Sequence, residues 1–235
     1  MRARVAFANA AVRHGATIQT GVLVTGIAID GGRVTGVTTD DGNVSAEIVV
    51  LAAGAWSAEL AKGIGIDLPV VTHGFQAMTT KPAAHQLDQV IASKRRLLSL
   101  KQLPDGRYLI GGGWPGAFTL DFPRGRSTVA SQSGNLAAAV GVFPPVAFVG
   151  IDKAWLGIEA VAIDEVPIIG PVEGIDGLII ATGFSGHGFA LAPAVGEAVS
   201  ELIDTGNVPT ALAELTFARF AANPASTDWP VQNVG

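Results

Sequence analysis

The residues best suited to chemistry lie late in the chain, in Gly183-Phe184-Ser185-Gly186-His187-Gly188. Three glycines within six residues let a backbone approach a flat or anionic ligand with no Cβ in the way. An apolar strand, Gly177 to Thr182, precedes this loop, and a helical pattern from Ala190 to Asp204 follows it. A helix start supplies unpaired N–H groups and the positive end of a dipole. Such a unit suits a phosphate, a carboxylate or an electron-rich ring. Its spacing, G-x-x-G-x-G, is neither a dinucleotide fingerprint nor a P-loop, and a plain strand-to-helix turn is the alternative reading.

A second candidate is Ala52-Ala53-Gly54-Ala55-Trp56, which ends an apolar run. Ligands in open α/β sheets sit beyond the carboxyl ends of strands, where small residues leave room. A third is Trp155-Leu156-Gly157-Ile158-Glu159, followed by Asp164 and Pro167-Ile168-Ile169-Gly170-Pro171. Taken alone, these two segments also read as ordinary structure.

Other chemistries find little support. There are no cysteines, which removes disulfides, thiolate nucleophiles and cysteine-ligated zinc. The four histidines show no pairing at i, i+3 or i+4, so no metal site is expected. Ser185 sits in no G-x-S-x-G elbow. The net charge is −5 with no basic stripe, which argues against nucleic acid. No apolar run reaches the roughly 18 residues of a membrane span, and Met1 to Arg4 leads into no secretory apolar core. The expectation is a soluble, cytoplasmic protein. Hydrophobic residues make up 49% and charged residues 15% of 235, enough apolar mass for a core and against disorder.

The elements that must position these residues follow from periodicity. Arg2 to Arg13 reads as a helix ended by Gly15, and Ala16 to Thr20 as a short strand. Val22 to Asp30 and Arg33 to Thr39 read as a hairpin about Gly31-Gly32, with a second turn at Asp40 to Asn43. Val44 to Ala52 ends as a buried parallel strand, and Ser57 to Lys62 as a short helix. From Pro69 the texture becomes that of an antiparallel sheet. Val70 to Thr80, Leu97 to Leu103, Tyr108 to Trp114 and Val146 to Ile158 are its strands. Ser127 to Val140 is a helix stopped at Phe143-Pro144-Pro145. Pro193 falls in the first turn of the final helix.

The order of these motifs resembles a known family. It runs from Gly15-Ala16 through Ala52 to Trp56, Gly111-Gly112-Gly113, Pro144-Pro145, Trp155-x-Gly157 and Asp164-x-x-Pro167-Ile168-Ile169-Gly170. It ends with Gly183 to Phe189, Pro193-x-x-Gly196 and Arg219-Phe220. The set resembles the carboxy-terminal two-thirds of the FAD-dependent amine and amino-acid oxidoreductases. These include glycine oxidase, D-amino-acid oxidase and dehydrogenase, sarcosine oxidase and L-proline dehydrogenase β-type subunits.

The resemblance implies an α/β (α+β) fold. A partial, Rossmann-like FAD-binding domain over 1–68 and 156–235 carries an inserted antiparallel substrate domain over 69–155. It places Gly183, Phe184, Ser185, Gly186, His187, Gly188, Phe189 and Ala190 against the flavin, with Gly54 and Trp56 lining the cofactor. Val24 takes the place of an adenine-contacting valine, and the last helix aims its start at the flavin pyrimidine oxygen. His73, Trp114 and Glu159 are its candidate substrate residues; no catalytic residue is assigned. The implied reaction is C–N oxidation of a small amine or amino acid by hydride transfer to FAD.

Three departures accompany the resemblance. Glu159 stands where many members carry a carboxylate-clamping arginine and others a tyrosine. The substrate-facing tyrosines of the family have no counterpart near Leu97 to Leu103, and Tyr108 is the sole tyrosine. The strand, G-x-G-x-x-G loop, helix and acidic residue that open the family are not read here. The alternative is therefore a truncated or split form, inactive alone, completed by a second polypeptide, or a small-molecule-binding module.

Overall fold

The computed structural model describes residues 2–118 and 125–220. Two sheets carry the architecture. The first is built from β1 (Val24–Asp30), β2 (Arg33–Thr39), β3 (Gly42–Ser45), β4 (Val49–Leu51), β10 (Ile168–Val172) and β11 (Ile175–Thr182). Its path runs β1-β2-β11-β10, with β3 on β2 and β4 on β11. The second holds β5 (Val70–Thr80), β6 (Ile91–Ser93), β7 (Leu98–Gln102), β8 (Tyr108–Gly111) and β9 (Ile151–Ala162). Its order is β6-β7-β8-β5-β9, and every pairing is antiparallel. Among the described residues four α-helices complete the fold: α1 (Arg2–Arg13), α2 (Ser57–Lys62), α3 (Val129–Val142) and α4 (Gly188–Thr205).

The β1–β2 hairpin closes on Asp30↔Arg33, leaving Gly31 and Gly32 as a two-residue loop with φ of +55° and +79°. Positive φ at both positions is the twist-matched turn that glycine supplies without steric cost. Strand β4 pairs in parallel with β11 through Leu178↔Val49 and Ile180↔Leu51, as its apolar run suggested. Only one face of it is buried, however: Leu51 faces the core and Val50 is 37% exposed.

Alternation along β11 divides two cores. Leu178 and Ile180 pack with Leu51, Ala61 of α2 and Ile168. Ile179 and Ile169 point the other way, against Ala198, Val199 and Leu202 of α4. A layer of helix on each face is what an all-apolar strand requires. In the second sheet, Met78, Leu98, Leu100, Tyr108 and Ile110 bury one face beneath Ala139 of α3. The N-cap Thr128 side chain accepts from the Ser131 N–H at 3.1 Å, which starts α3. The buried Asn135 of α3 donates to the Gly111 carbonyl at 3.0 Å and accepts from Gln76 Nε2 at 3.3 Å. That pair fixes the helix to the sheet. The opposite face of the sheet is left open.

Three sequence readings are corrected. Ala16 to Thr20 forms no strand. Its β-branched residues are exposed, and β propensity without a pairing partner specifies nothing. Residues 144–148 form a turn of 3-10 helix, and the strand expected from Val146 begins at Ile151. Helix α4 begins at Gly188, so Pro193 lies one turn inside it rather than in its first turn. Strand β9 runs unbroken through 155 and 156, and pairs with β5 from Val70↔Ala162 to Thr80↔Ile151. It joins the two sheets, because Ala162 also belongs to the core beneath β11.

Candidate functional site

Parallel pairing of β4 and β11 brings two of the three sequence motifs to one place. Both strands end on the same side, so Gly54 to Trp56 and Gly183 to His187 leave the sheet together. The Thr182 hydroxyl donates to the Gly54 carbonyl at 3.2 Å, and the Thr72 hydroxyl to the Ala55 carbonyl at 3.4 Å. Gly54 has φ +55°, and a Cβ built there meets nothing within 4 Å. This is the crevice at strand carboxyl ends where open α/β sheets receive ligands.

The glycine loop is strapped to β9. Gly183, with φ +68°, lies against Ala162 so closely that a Cβ would come within 3.0 Å of the alanine methyl. Ser185 is held at φ +50°, a left-handed conformation costing a non-glycine residue about 1–2 kcal/mol. Three hydrogen bonds hold it there. Its hydroxyl donates to the Gly183 carbonyl at 3.0 Å and accepts from the Ala162 N–H at 3.2 Å. Its own N–H donates to the Ala160 carbonyl at 3.3 Å. The Ser185 side chain is thus turned to the backbone that supports the loop. Helix α4 then starts at Gly188 with no side chain capping it, and Gly186, His187, Phe189 and Ala190 are exposed. Phe184 is half-buried and packs against Gly188.

Between this loop and the open face of the second sheet lies a cleft of about 760 Å³. Ser185, Gly186 and His187 form one wall; Phe75, Trp155 and Glu159 belong to its floor. Glu159 approaches the loop, its Oε1 lying 3.8 Å from where a Gly186 Cβ would stand. His73 faces Glu159 across β5 and β9, and its ring stacks on Phe75 at 5.6 Å and 8°.

Of the candidates, Glu159, Ser185, Gly186 and His187 line this cleft; Gly54, Trp56, His73, Gly183, Phe184, Gly188, Phe189 and Ala190 do not, and neither do two that lie elsewhere. Trp114 is turned to α3, where its ring fills the space over Gly134, and it does not line the cleft. Val24 opens β1 and is 38% exposed, also outside the cleft. Reading by sequence missed Lys94, Ser99, Lys101 and Glu165, which do line it. Register on β7 places Ser99 and Lys101 there, while Lys94 and Glu165 arrive from turns. A second groove, of about 730 Å³, is lined by Leu68, Val172, Phe217 and Phe220 and contains none of the candidate residues.

A family model described as "DAO: FAD dependent oxidoreductase" matches residues 2–202. The chain belongs to this family. It is 36% identical over 176 residues to a glycine oxidase of Pseudomonas aeruginosa, covering 74% of this chain and 46% of that protein. It is 29% identical to a sarcosine oxidase subunit beta of Rhodobacter capsulatus, covering 84% of this chain and 46% of that one. Among solved structures, L-proline dehydrogenase from P. horikoshii superposes with a TM-score of 0.85 at 30% identity, over 94% of this chain and 59% of that one. The chain thus spans about half the length of the curated relatives it matches.

FAD is the cofactor of the DAO family, and the glycine loop leaves room for a flat or anionic group. Gly54 and Gly186 present no side chain, the loop between β11 and α4 is rigidly tied, and the start of α4 is uncapped. The spacing G-x-G-x-x-G does occur at Gly111, Gly113 and Gly116, yet it follows antiparallel β8 and leads through Pro115 into a bridge with Phe75. Ala117 then bridges to Arg126, and among the described residues no helix starts at the end of this loop to receive a pyrophosphate, which is what the dinucleotide fingerprint requires.

Proposed function

We propose that this chain carries the flavin-ring and substrate side of an FAD-dependent oxidoreductase acting on the C–N bond of an amine or amino acid. The observation that supports this best is the cleft itself. A tied glycine loop at the carboxyl ends of two parallel strands faces an open antiparallel sheet, with Glu159 between them. Residues 1–68 and 156–235 serve FAD in this reading, and 69–155 present the substrate.

Bound FAD supplies a two-electron acceptor. The chain's own residues do the positioning. Gly54, Trp56 and Gly183 to Ala190 hold the cofactor. The uncapped start of α4 stabilises negative charge beside it. Glu159 favours a cationic nitrogen, and His73 stands beside it on β5. Phe75 and Trp155 give the cleft an apolar floor. The test is direct: purify the chain, add FAD and record the visible spectrum, then assay amine oxidation. A yellow protein that oxidises amines is expected. A chain that stays colourless overturns the stand-alone enzyme.

A second reading, completion by another polypeptide, is favoured by exposed apolar residues on α1 and beside β4. Val5, Phe7 and Val12 of α1, with Ile48 and Val50 by β4, are all exposed. The relatives also include enzyme subunits by their names, such as the sarcosine oxidase subunit beta. A colourless chain that turns yellow when co-expressed with the amino-terminal half of a relative supports this second reading.

A further inference from the structure

Strand β9 ends the second sheet, and much of its outer edge is open. On one side it pairs with β5 from Val70↔Ala162 to Thr80↔Ile151. On the other, the glycine loop covers its last residues through the Val161↔Phe184 bridge. Among the described residues no strand lies beyond Ile151 to Ile158. Gly150 to Trp155 are exposed without a break, so neither face of this stretch is covered. Phe148, just before it, is 90% exposed. Such an edge presents unpaired N–H and C=O groups to a second strand.

The hydrogen bonds identify those groups. Successive strand residues turn their N–H and C=O to opposite edges. The Ala160 carbonyl accepts from the Ser185 N–H at 3.3 Å, and the Ala162 N–H donates to the Ser185 hydroxyl at 3.2 Å. Even-numbered residues from Ala154 to Ala162 therefore point their groups outward. Register then slips: Thr79 faces Lys153 while Thr80 faces Ile151, which leaves Asp152 as a bulge. Beyond it the Gly150 carbonyl accepts from Lys81, next to β5, at 2.7 Å, so Ile151 points its groups outward. The open edge thus offers the groups of Ile151 and Ala154, with Asp152 and Lys153 between them.

A bulge and a lysine ordinarily keep an edge from pairing. Here each is met by its complement within the same four residues. We infer that a second copy of this chain pairs on this edge, antiparallel, about a two-fold axis between Asp152 and Lys153. Ile151 of each copy then lies opposite Ala154 of the other, and each such pair exchanges both its N–H and C=O groups. Asp152 of each copy lies opposite Lys153 of the other, a favourable cross-strand pair. Asp152 meets Arg107 only at 3.7 Å, and Arg107 is held at 2.6 Å by Asp105, so Asp152 can turn to the new partner. Gly150 of the second copy comes opposite Trp155, and the cleft floor continues into that copy.

Sedimentation velocity of the full chain over a concentration series tests this. A monomer–dimer equilibrium of the weak kind that a small interface gives is expected. Ala154→Pro removes an outward N–H that β5 does not use. It should leave the circular dichroism unchanged and the chain monomeric; should it unfold the chain, the charge variants decide alone. Asp152→Lys sets lysine against lysine, and Lys153→Asp sets aspartate against aspartate. Each should weaken self-association by about fivefold or more. Mixed in equal amounts, the two variants should form a heterodimer, because each cross-strand pair is then lysine opposite aspartate. No other register rescues the mixture. A chain that stays monomeric, a dimer untouched by a folded Ala154→Pro, or a mixture no more associated than its components overturns the inference. None of these outcomes depends on FAD or on amine oxidation.

Discussion

Ser185 shows how a residue in a ligand loop can act through its neighbours. Its hydroxyl bridges the Gly183 carbonyl and the Ala162 N–H, offsetting the left-handed strain at its own φ. Removing it leaves the Ala162 N–H without that acceptor. Ser185→Ala should therefore destabilise the chain by about 1 kcal/mol, lowering Tm by about 2–4 °C for a protein of this size. Thermal unfolding followed by circular dichroism checks this, and an unchanged Tm removes the strap from the account. Glu159 belongs to the same scale but acts on the ligand. Glu159→Arg should shift preference towards amines with a carboxylate next to the nitrogen, because it places a bidentate donor beside the loop. An unaltered substrate profile removes Glu159 from the site. Both residues were legible in the sequence, because they lie in motifs. Lys101 was not, since nothing in the local pattern says which face of β7 is open until α3 is seen covering the other.

At the scale of elements, the loop at 164–166 and the chain at 215–220 are tied by one arginine. Arg219 meets Asp164 at 2.9 and 3.2 Å, reaches the carbonyls of Leu215, Thr216 and Val166, and lies over the Phe220 ring at 4.3 Å. Burial pushes the Asp164 carboxyl up, but the Arg219 guanidinium and the Val166 N–H together outweigh it and hold the group below its ordinary value. A depressed pKa in the folded chain contributes stability that is present above the unfolded value of 3.8 and is lost as pH falls through the lower folded value. Asp164→Asn should thus cost about 1 kcal/mol or less at neutral pH, given partial exposure. Unfolding curves of the two proteins should converge in strong acid. A difference that is independent of pH shows that the pairing is not what the substitution removed. The sequence marked Asp164 and Arg219-Phe220 only as separate motifs, 55 residues apart, and their joining is a tertiary fact. Hairpins fared better, because Gly31-Gly32 specifies its turn locally, whereas the run at Ala16 to Thr20 had the propensity of a strand and no neighbour to pair with.

The whole molecule is two sheets joined by β9, and the cleft draws on both. Its loop wall belongs to the first sheet and its floor to the second, so a ligand there resists separation of the two. Binding to the folded chain alone stabilises it by about 2.7 kcal/mol at a hundredfold excess over Kd. That corresponds to a rise in Tm of roughly 5–10 °C at 2–4 °C per kcal/mol. FAD should produce this rise, and Gly186→Val should reduce it, because the added side chain fills the approach to the loop beside Glu159. The order of motifs along the chain was enough to read this architecture. The relation between the sheets was not, since it depends on β9 pairing with β5 over eleven positions while its last residue enters the other core. Differential scanning fluorimetry with and without FAD decides the matter for the unmodified chain. An unchanged Tm means that the chain alone does not hold FAD. A rise that appears only when the amino-terminal half of a relative is present assigns the missing contacts to that half. The exposed residues of α1, with Phe7 at 60%, are then the first place to look for burial.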